Sequence, residues 1–234
     1  MSIADNLADV RGRVADAARR SGRSPSDVTL VAVSKTFGAE AVREAWAAGQ
    51  RDFGENKVQE ALQKIDRTAD MEIRWHLIGH LQSNKAKKAV GAFAVIHSVD
   101  SVELVHRLDG AAAGLTPPAR PEILVQVDLA GESTKFGAPE ADAIRCVHAA
   151  LRARALQLSG LMLMPPWHDD QEQTRPWFAR MRMLRDRLVD EGVPADSLRH
   201  LSMGMSHDFE AAIEEGSTHV RVGTAIFGKR QVRP

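Results

Sequence analysis

Eight short apolar runs, set at nearly regular intervals along 234 residues with helix-patterned stretches between them, constrain the fold more than any other feature. The first, residues 28–34 (VTLVAVS), is β-branched and almost wholly apolar, the pattern of a strand buried on both faces. Further strand candidates lie at 51–54, 75–79, 93–99, 123–129, 158–164, 200–204 and 219–227. Strand starts recur about every 27 residues, the size of a βαβ unit. Helical periodicity fills the gaps at 39–48, from Val58 through Leu62 and Ile65, and at 84–90, 101–113, 139–151, 175–189 and 207–214. Ahead of the first strand, Ile3, Leu7, Val10 and Val14 share one helix face. Eight strand–helix units predict one α/β domain over residues 1–234, a single (β/α)8 barrel. An open doubly wound sheet shares the same local pattern. The turn-rich stretches 114–121 (GLTPPARP) and 164–170 (MPPWHDD) read as loops within that domain, not as linkers.

Thirty-one basic and 31 acidic residues cancel, so charge makes no general case for nucleic acid or an anionic membrane as partner. A single cysteine, Cys146, excludes an internal disulfide and any Cys-rich zinc site and fits a reducing compartment. The first residues are broken by acids and arginines, unlike a signal peptide, and no apolar run approaches the ~20 residues that span a bilayer. These features predict a cytoplasmic location. The chain contains no tyrosine, an absence that bears on its chemistry.

A parallel barrel builds its site at the C-terminal ends of its strands, so the polar residues that close each apolar run are the candidates. Lys35 follows the first strand directly, where partial desolvation favours Schiff-base chemistry with an aldehyde; a solvated loop lysine is the plainer alternative. Asn56 and His80 close the second and third strands and offer directional hydrogen bonds to a planar ligand. Ser83 or Asn84 reads as a helix cap, and Lys85, Lys87 and Lys88 as a solvated basic face. His97, Ser98, Asp100 and Asp128 with the loop 131–137 are caps or loop ligands that spacing does not separate. The histidines are scattered, without metal-ligand spacing. Met162 and Met164 read as core, and Trp75, Trp167 and Trp177 as buried aromatics.

The last two strand ends differ in kind. Residues 201–206 (LSMGMS) open onto a helix, so backbone N–H groups and the Ser202 or Ser206 hydroxyl can hold an anion. Arg221, Val222, Gly223 and Thr224 add a glycine for close backbone approach and a neighbouring hydroxyl. Barrels often form a phosphate site from these two loops. A lysine for an aldehyde facing a phosphate cradle predicts pyridoxal 5′-phosphate as cofactor.

The segments VAVSKT (31–36), FGENKV (53–58), HLIGHLQSNK (76–85), LSMGMS (201–206) and GSTHVRVGTAIFG (216–228) resemble the YggS/PROSC pyridoxal phosphate homeostasis family across nearly the whole chain. Residues 133–137 read STKFG where that family's pattern suggests an SKSG-like sequence. The resemblance implies the N-terminal barrel of alanine racemase without its C-terminal β-domain, hence a monomer. It implies Lys35 as the Schiff-base lysine, Arg221 at the pyridine nitrogen, Ser206, Gly223 and Thr224 at the phosphate, and Asn56 and Met203 along the ring. An arginine there disfavours a protonated ring nitrogen and weakens the cofactor as an electron sink. Two-base racemisation also needs a second acid/base opposite the lysine, a role tyrosine fills in alanine racemases. The expectation is therefore a pyridoxal phosphate carrier for intracellular vitamin B6 homeostasis with little or no catalysis, its acceptors being apoenzymes that require the cofactor. The alternatives are a racemase of low activity and a cofactor-free Schiff-base lyase.

Overall fold

The computed structural model describes residues 2–116, 120–131 and 136–228. Helix α1 (Ile3–Arg20) begins at a reciprocal cap, in which the Ser2 side chain accepts from the Asp5 N–H and the Asp5 side chain from the Ser2 N–H. It buries Leu7, Val10, Val14, Ala17 and Ala18. The strands are β1 (Thr29–Val33), β2 (Asp52–Glu55), β3 (Arg74–Leu77), β4 (Val95–Val99), β5 (Glu122–Asp128), β6 (Ala138–Pro139), β7 (Gln157–Leu163), β8 (His200–Ser202) and β9 (His219–Val222). All pairings are parallel, in the order β4-β3-β2-β1-β9-β8-β7-β5, and β4 pairs with β5 to close an eight-stranded barrel. The two-residue β6 adds to the edge of β5 beyond that ring and was not foreseen from the sequence. Around the barrel run α2 (Ala39–Ala47), α3 (Val58–Arg67), α4 (Ala86–Val90), α5 (Val102–Ala113), α6 (Glu140–Leu151), α7 (Arg175–Asp190), α8 (Phe209–Glu214) and α9 (Thr224–Phe227). No helix among the described residues is long and apolar enough to cross a membrane.

Alternation along each strand divides the side chains into two populations. Leu30, Ala32, Phe53, Trp75, Leu77, Ile96, Ile123, Leu161, Val220 and Val222 pack outward into one apolar core with the helices. Inside the barrel the apolar residues include a separate cluster of Val95, Leu124 and Met162, together with Val31 and Val33 of β1. Much of the remaining interior is polar, an unusual filling for a barrel whose inward positions are ordinarily branched aliphatics.

Two expectations require correction. The run 219–227 is not one strand: β9 ends at Val222, and Gly223 begins the short helix α9. The apolar TAIF sequence reads equally as strand or helix over four residues, and the glycine is where the chain changes direction. Ser83 and Asn84 are not caps; they sit within a short 3-10 turn (Ser83–Lys85), and no side-chain cap bond forms there or at the start of α4.

Candidate functional site

The C-terminal ends of the strands open onto a cavity of about 770 Å³, within the size range of small-molecule sites. Six of the seven predicted residues, Lys35, Asn56, Ser206, Arg221, Gly223 and Thr224, line it. Met203 does not. Its side chain is fully buried in the core, and Met205 takes the place at the cavity because Gly204, at φ +94°, turns the backbone between the two.

Lys35 sits in a tightly held turn. The Phe37 N–H donates to the Ser34 carbonyl at 3.1 Å, and Thr36 adopts φ +71°, a costly conformation for a β-branched residue. On the outer side of the barrel, Lys64 of α3 donates to the same Ser34 carbonyl (2.7 Å) and to Glu55 Oε1 (2.6 Å). The Ser34 hydroxyl also donates to Glu55 Oε1, at 2.6 Å. Burial raises the Glu55 carboxyl above its ordinary range, with the Lys64 bond opposing that rise. A buried ion pair thus clamps the strand end that presents Lys35.

Across the cavity, the Gly223 N–H donates to Ser206 Oγ at 3.2 Å, joining the two loops predicted to cradle an anion. A Cβ at Gly223 would lie 3.2 Å from the Val33 carbonyl oxygen, so a side chain there would crowd the cradle against β1. Asp208 Oδ1 accepts from the Met205 N–H (2.6 Å) and fixes the preceding turn. Among the described residues, Asn56 Oδ1 is buried with no hydrogen-bond partner, while His207 Nε2 makes no hydrogen bond and lies 3.5 Å from Asp208 Oδ2. Unmet buried polar atoms are costly and call for a partner.

Arg221 projects from β9 toward the cavity from below. It donates to Ser202 Oγ (2.7 Å) and to the Leu163 carbonyl (2.9 Å), and burial pushes its pKa down to about 10. Beneath it, histidines far apart in sequence converge: His76, His97, His200 and His219 occupy inward positions of β3, β4, β8 and β9. Burial drives all four below the usual imidazole range, His200 to about 4. Their convergence was invisible in the spacing because it depends on the register of separate strands. Among the described residues, no group of three or more potential ligands is arranged to hold a metal.

The rim corrects two further readings. Met164 is 40% exposed and Trp167 64%, and both line the cavity, so neither belongs to the core. Both follow the end of β7, at the mouth. Trp167 lies over His207 (ring centroids 3.7 Å apart), while Phe136 stacks on His80 at 3.9 Å. The Phe136 carbonyl accepts from Gln126 inside the barrel (2.7 Å). Asp100 Oδ2 lies 3.5 Å from His80 Nδ1. Lys135 and its neighbours at 132–135 lie outside the described residues.

The sequence pattern of the family described as alanine racemase, N-terminal domain, matches residues 6–231. A pyridoxal phosphate homeostasis protein of Pseudomonas aeruginosa is 44% identical over 229 residues, spanning 98% of this chain and 96% of the relative. The protein of that name from Escherichia coli K12 is 40% identical, spanning 97% of each chain. The structure of PipY from Synechococcus elongatus with pyridoxal phosphate bound is 42% identical, with a TM-score of 0.84 over 97% of this chain and 100% of that one. An alanine racemase of Clostridium difficile, at 15% identity and TM-score 0.70, covers 97% of this chain and 57% of its own, a likeness of fold.

Proposed function

The chain belongs to the alanine racemase N-terminal domain family and, within it, to the YggS/PROSC pyridoxal phosphate homeostasis proteins, and from that membership we propose that it binds pyridoxal 5′-phosphate through Lys35 and serves vitamin B6 homeostasis with little or no catalysis. One observation carries this reading: Lys35, Arg221 and the Ser206–Gly223–Thr224 cradle line a single cavity. When bound, pyridoxal phosphate supplies an aldehyde that condenses with an amine, a planar ring and a phosphate dianion. The residues present fit all three. Lys35 offers the amine, Ser206 and Thr224 offer hydroxyls beside a backbone that Gly223 leaves uncrowded, and the orphaned Asn56 Oδ1 awaits a donor.

Arg221 decides how much chemistry follows. A guanidinium donates and cannot accept, so Arg221 would favour an unprotonated ring nitrogen set against it, leaving the ring a poor electron sink. The chain has no tyrosine to act as a second acid/base across from Lys35. The rim is open and partly apolar, which suits passing the cofactor to apoenzymes that require it. We place the protein in the cytoplasm as a monomer built on one barrel domain.

Loading Lys35→Ala with pyridoxal phosphate tests the reading. Covalent capture is lost while weaker, phosphate-dependent binding remains; capture equal to wild type would overturn the assignment. Solvent-deuterium exchange at the α-carbon of added amino acids separates carrier from racemase, and fast exchange would favour the racemase.

A further inference from the structure

Below the cavity, four consecutive short contacts join the barrel floor to Arg221. Asp52 Oδ1 lies 2.9 Å from His76 Nε2, His76 Nδ1 lies 2.9 Å from His97 Nε2, His97 Nδ1 lies 2.8 Å from Ser202 Oγ, and Ser202 Oγ lies 2.7 Å from Arg221 Nη1. We infer that Asp52 is a positioning residue for the mouth cavity, acting through a hydrogen-bond relay of fixed direction that ends on Arg221.

With both imidazoles neutral, each carrying one hydrogen, the direction follows from the Asp52 end. A carboxylate only accepts, so His76 carries its hydrogen on Nε2 and donates to Asp52. His76 Nδ1 is then an acceptor, so His97 carries its hydrogen on Nε2 and donates to it. His97 Nδ1 in turn accepts the Ser202 proton, while Ser202 Oγ accepts from Arg221, which only donates. Every position is satisfied once, and all four bonds run the same way. The reverse assignment would set His76 Nε2 and the Asp52 carboxylate face to face as two acceptors.

The surroundings support this solution. Burial holds His76 and His97 neutral, and His219 packs against both with its own pKa driven well down. His200 contacts His219 and lies 3.9 Å from Glu122. Arg74 Nη1 lies 4.0 Å from Asp52 Oδ1, and Arg74 also pairs with Glu122 at 2.6 Å, while Arg199 approaches Glu122 at 3.5 Å. At the upper end, Asp208 acts on Arg221 through space. Cation at one end and anion at the other polarise the relay, and the bond to Ser202 with that to Leu163 sets the plane of the guanidinium beneath the cavity.

The relay stands without any ligand; its effect on pyridoxal phosphate rests on the proposed function. Long-range proton–nitrogen correlation on ligand-free, 15N-labelled protein reads each imidazole tautomer. The expected wild-type result is Nε2–H at both His76 and His97. Asp52→Asn is nearly isosteric, but its amide can donate as well as accept, so Nδ1–H forms appear in both rings and the Arg221 side-chain resonance moves. Asp52→Glu, which keeps the carboxylate, restores the wild-type tautomers. Ser202→Ala cuts the relay at its other end, moving the Arg221 resonance while leaving the His76–Asp52 bond in place, and serves if Asp52→Asn does not fold. Loaded with pyridoxal phosphate, Asp52→Asn should bind about two- to tenfold more weakly, the range for one hydrogen bond, with a displaced pH midpoint of visible absorbance. Nδ1–H in wild type, or tautomers and Arg221 resonance unchanged in Asp52→Asn, would overturn the inference. Responsive tautomers in a wild-type protein that takes up no pyridoxal phosphate would sink the functional reading and leave the relay standing.

Discussion

At the floor of the barrel Asp52, Arg74, Glu122, His76 and His97 close upon one another in ion pairs and short hydrogen bonds. At the mouth, built from the other ends of the same strands, Asn56 Oδ1 has no hydrogen-bond partner among the described residues, Thr36 is strained and two aromatics stand exposed. The floor has its hydrogen-bond needs met internally, which fixes a unique arrangement. The mouth leaves a need open that a bound molecule or water can meet. The contrast supports the proposal that ligands bind at this end, apart from any likeness to other proteins.

The largest test of this contrast is acid. His76, His97, His200 and His219 have folded-state pKa values below their unfolded ones, so the stability they contribute is present above about pH 6.5 and lost as pH falls toward the folded values. Each fully buried histidine contributes at most about 1.4 kcal/mol per pH unit, and the more exposed His200 contributes less. Glu55 and Asp208, both raised by burial, act in the opposite sense. Urea denaturation at pH 7.5, 6.5 and 5.5 measures the balance, and a flat profile would mean that the floor is hydrated and its histidines ordinary.

Next in size is Lys64→Met, which leaves Glu55 buried without its cation and should cost about 3–5 kcal/mol. Adding Glu55→Leu should recover most of the loss, and failure to recover would show that Lys64 acts through packing instead. Ser206→Ala, at the mouth, should barely change stability but weaken pyridoxal phosphate binding by about 1.5–3 kcal/mol, the range for a bond to a charged group. Pyridoxal, lacking the phosphate, should bind both proteins alike, and an equal loss for the two ligands would remove Ser206 from the phosphate cradle. The smallest effect is expected for Trp167→Ala, within about 0.5 kcal/mol of wild-type stability because the ring is exposed. A large drop in melting temperature would return Trp167 to the buried aromatics among which the sequence first placed it.

What could be read from the sequence, and what could not, follows the two faces of the strands. The barrel was legible because its strands are covered on their outer faces, so that runs such as VTLVAVS stand out, and because each ends in a polar break. Lys35, Asn56 and Ser206 were legible as polar residues at strand ends, and Gly223 and Thr224 as a glycine beside a hydroxyl even though they fell within a run read as strand, whereas the role of Arg221 came only from the family resemblance. Met203 was misplaced because a single residue separates core from cavity once Gly204 turns the chain. Met164 was misplaced because an apolar residue just past a strand end looks no different from one inside it, and Trp167 because an aromatic within a loop carries no sign of whether it is buried. The histidine layer and the Glu55–Lys64 clamp are contacts between elements, set by strand register and helix docking, to which one-dimensional periodicity is blind.

Reduction of the pyridoxal phosphate-loaded protein with borohydride, followed by peptide mapping of the added mass, tests the central claim most directly. The account predicts a yellow protein that bleaches on reduction and carries one stable pyridoxyl group on Lys35. A protein that stays colourless after loading, or a label confined to another lysine, would contradict it.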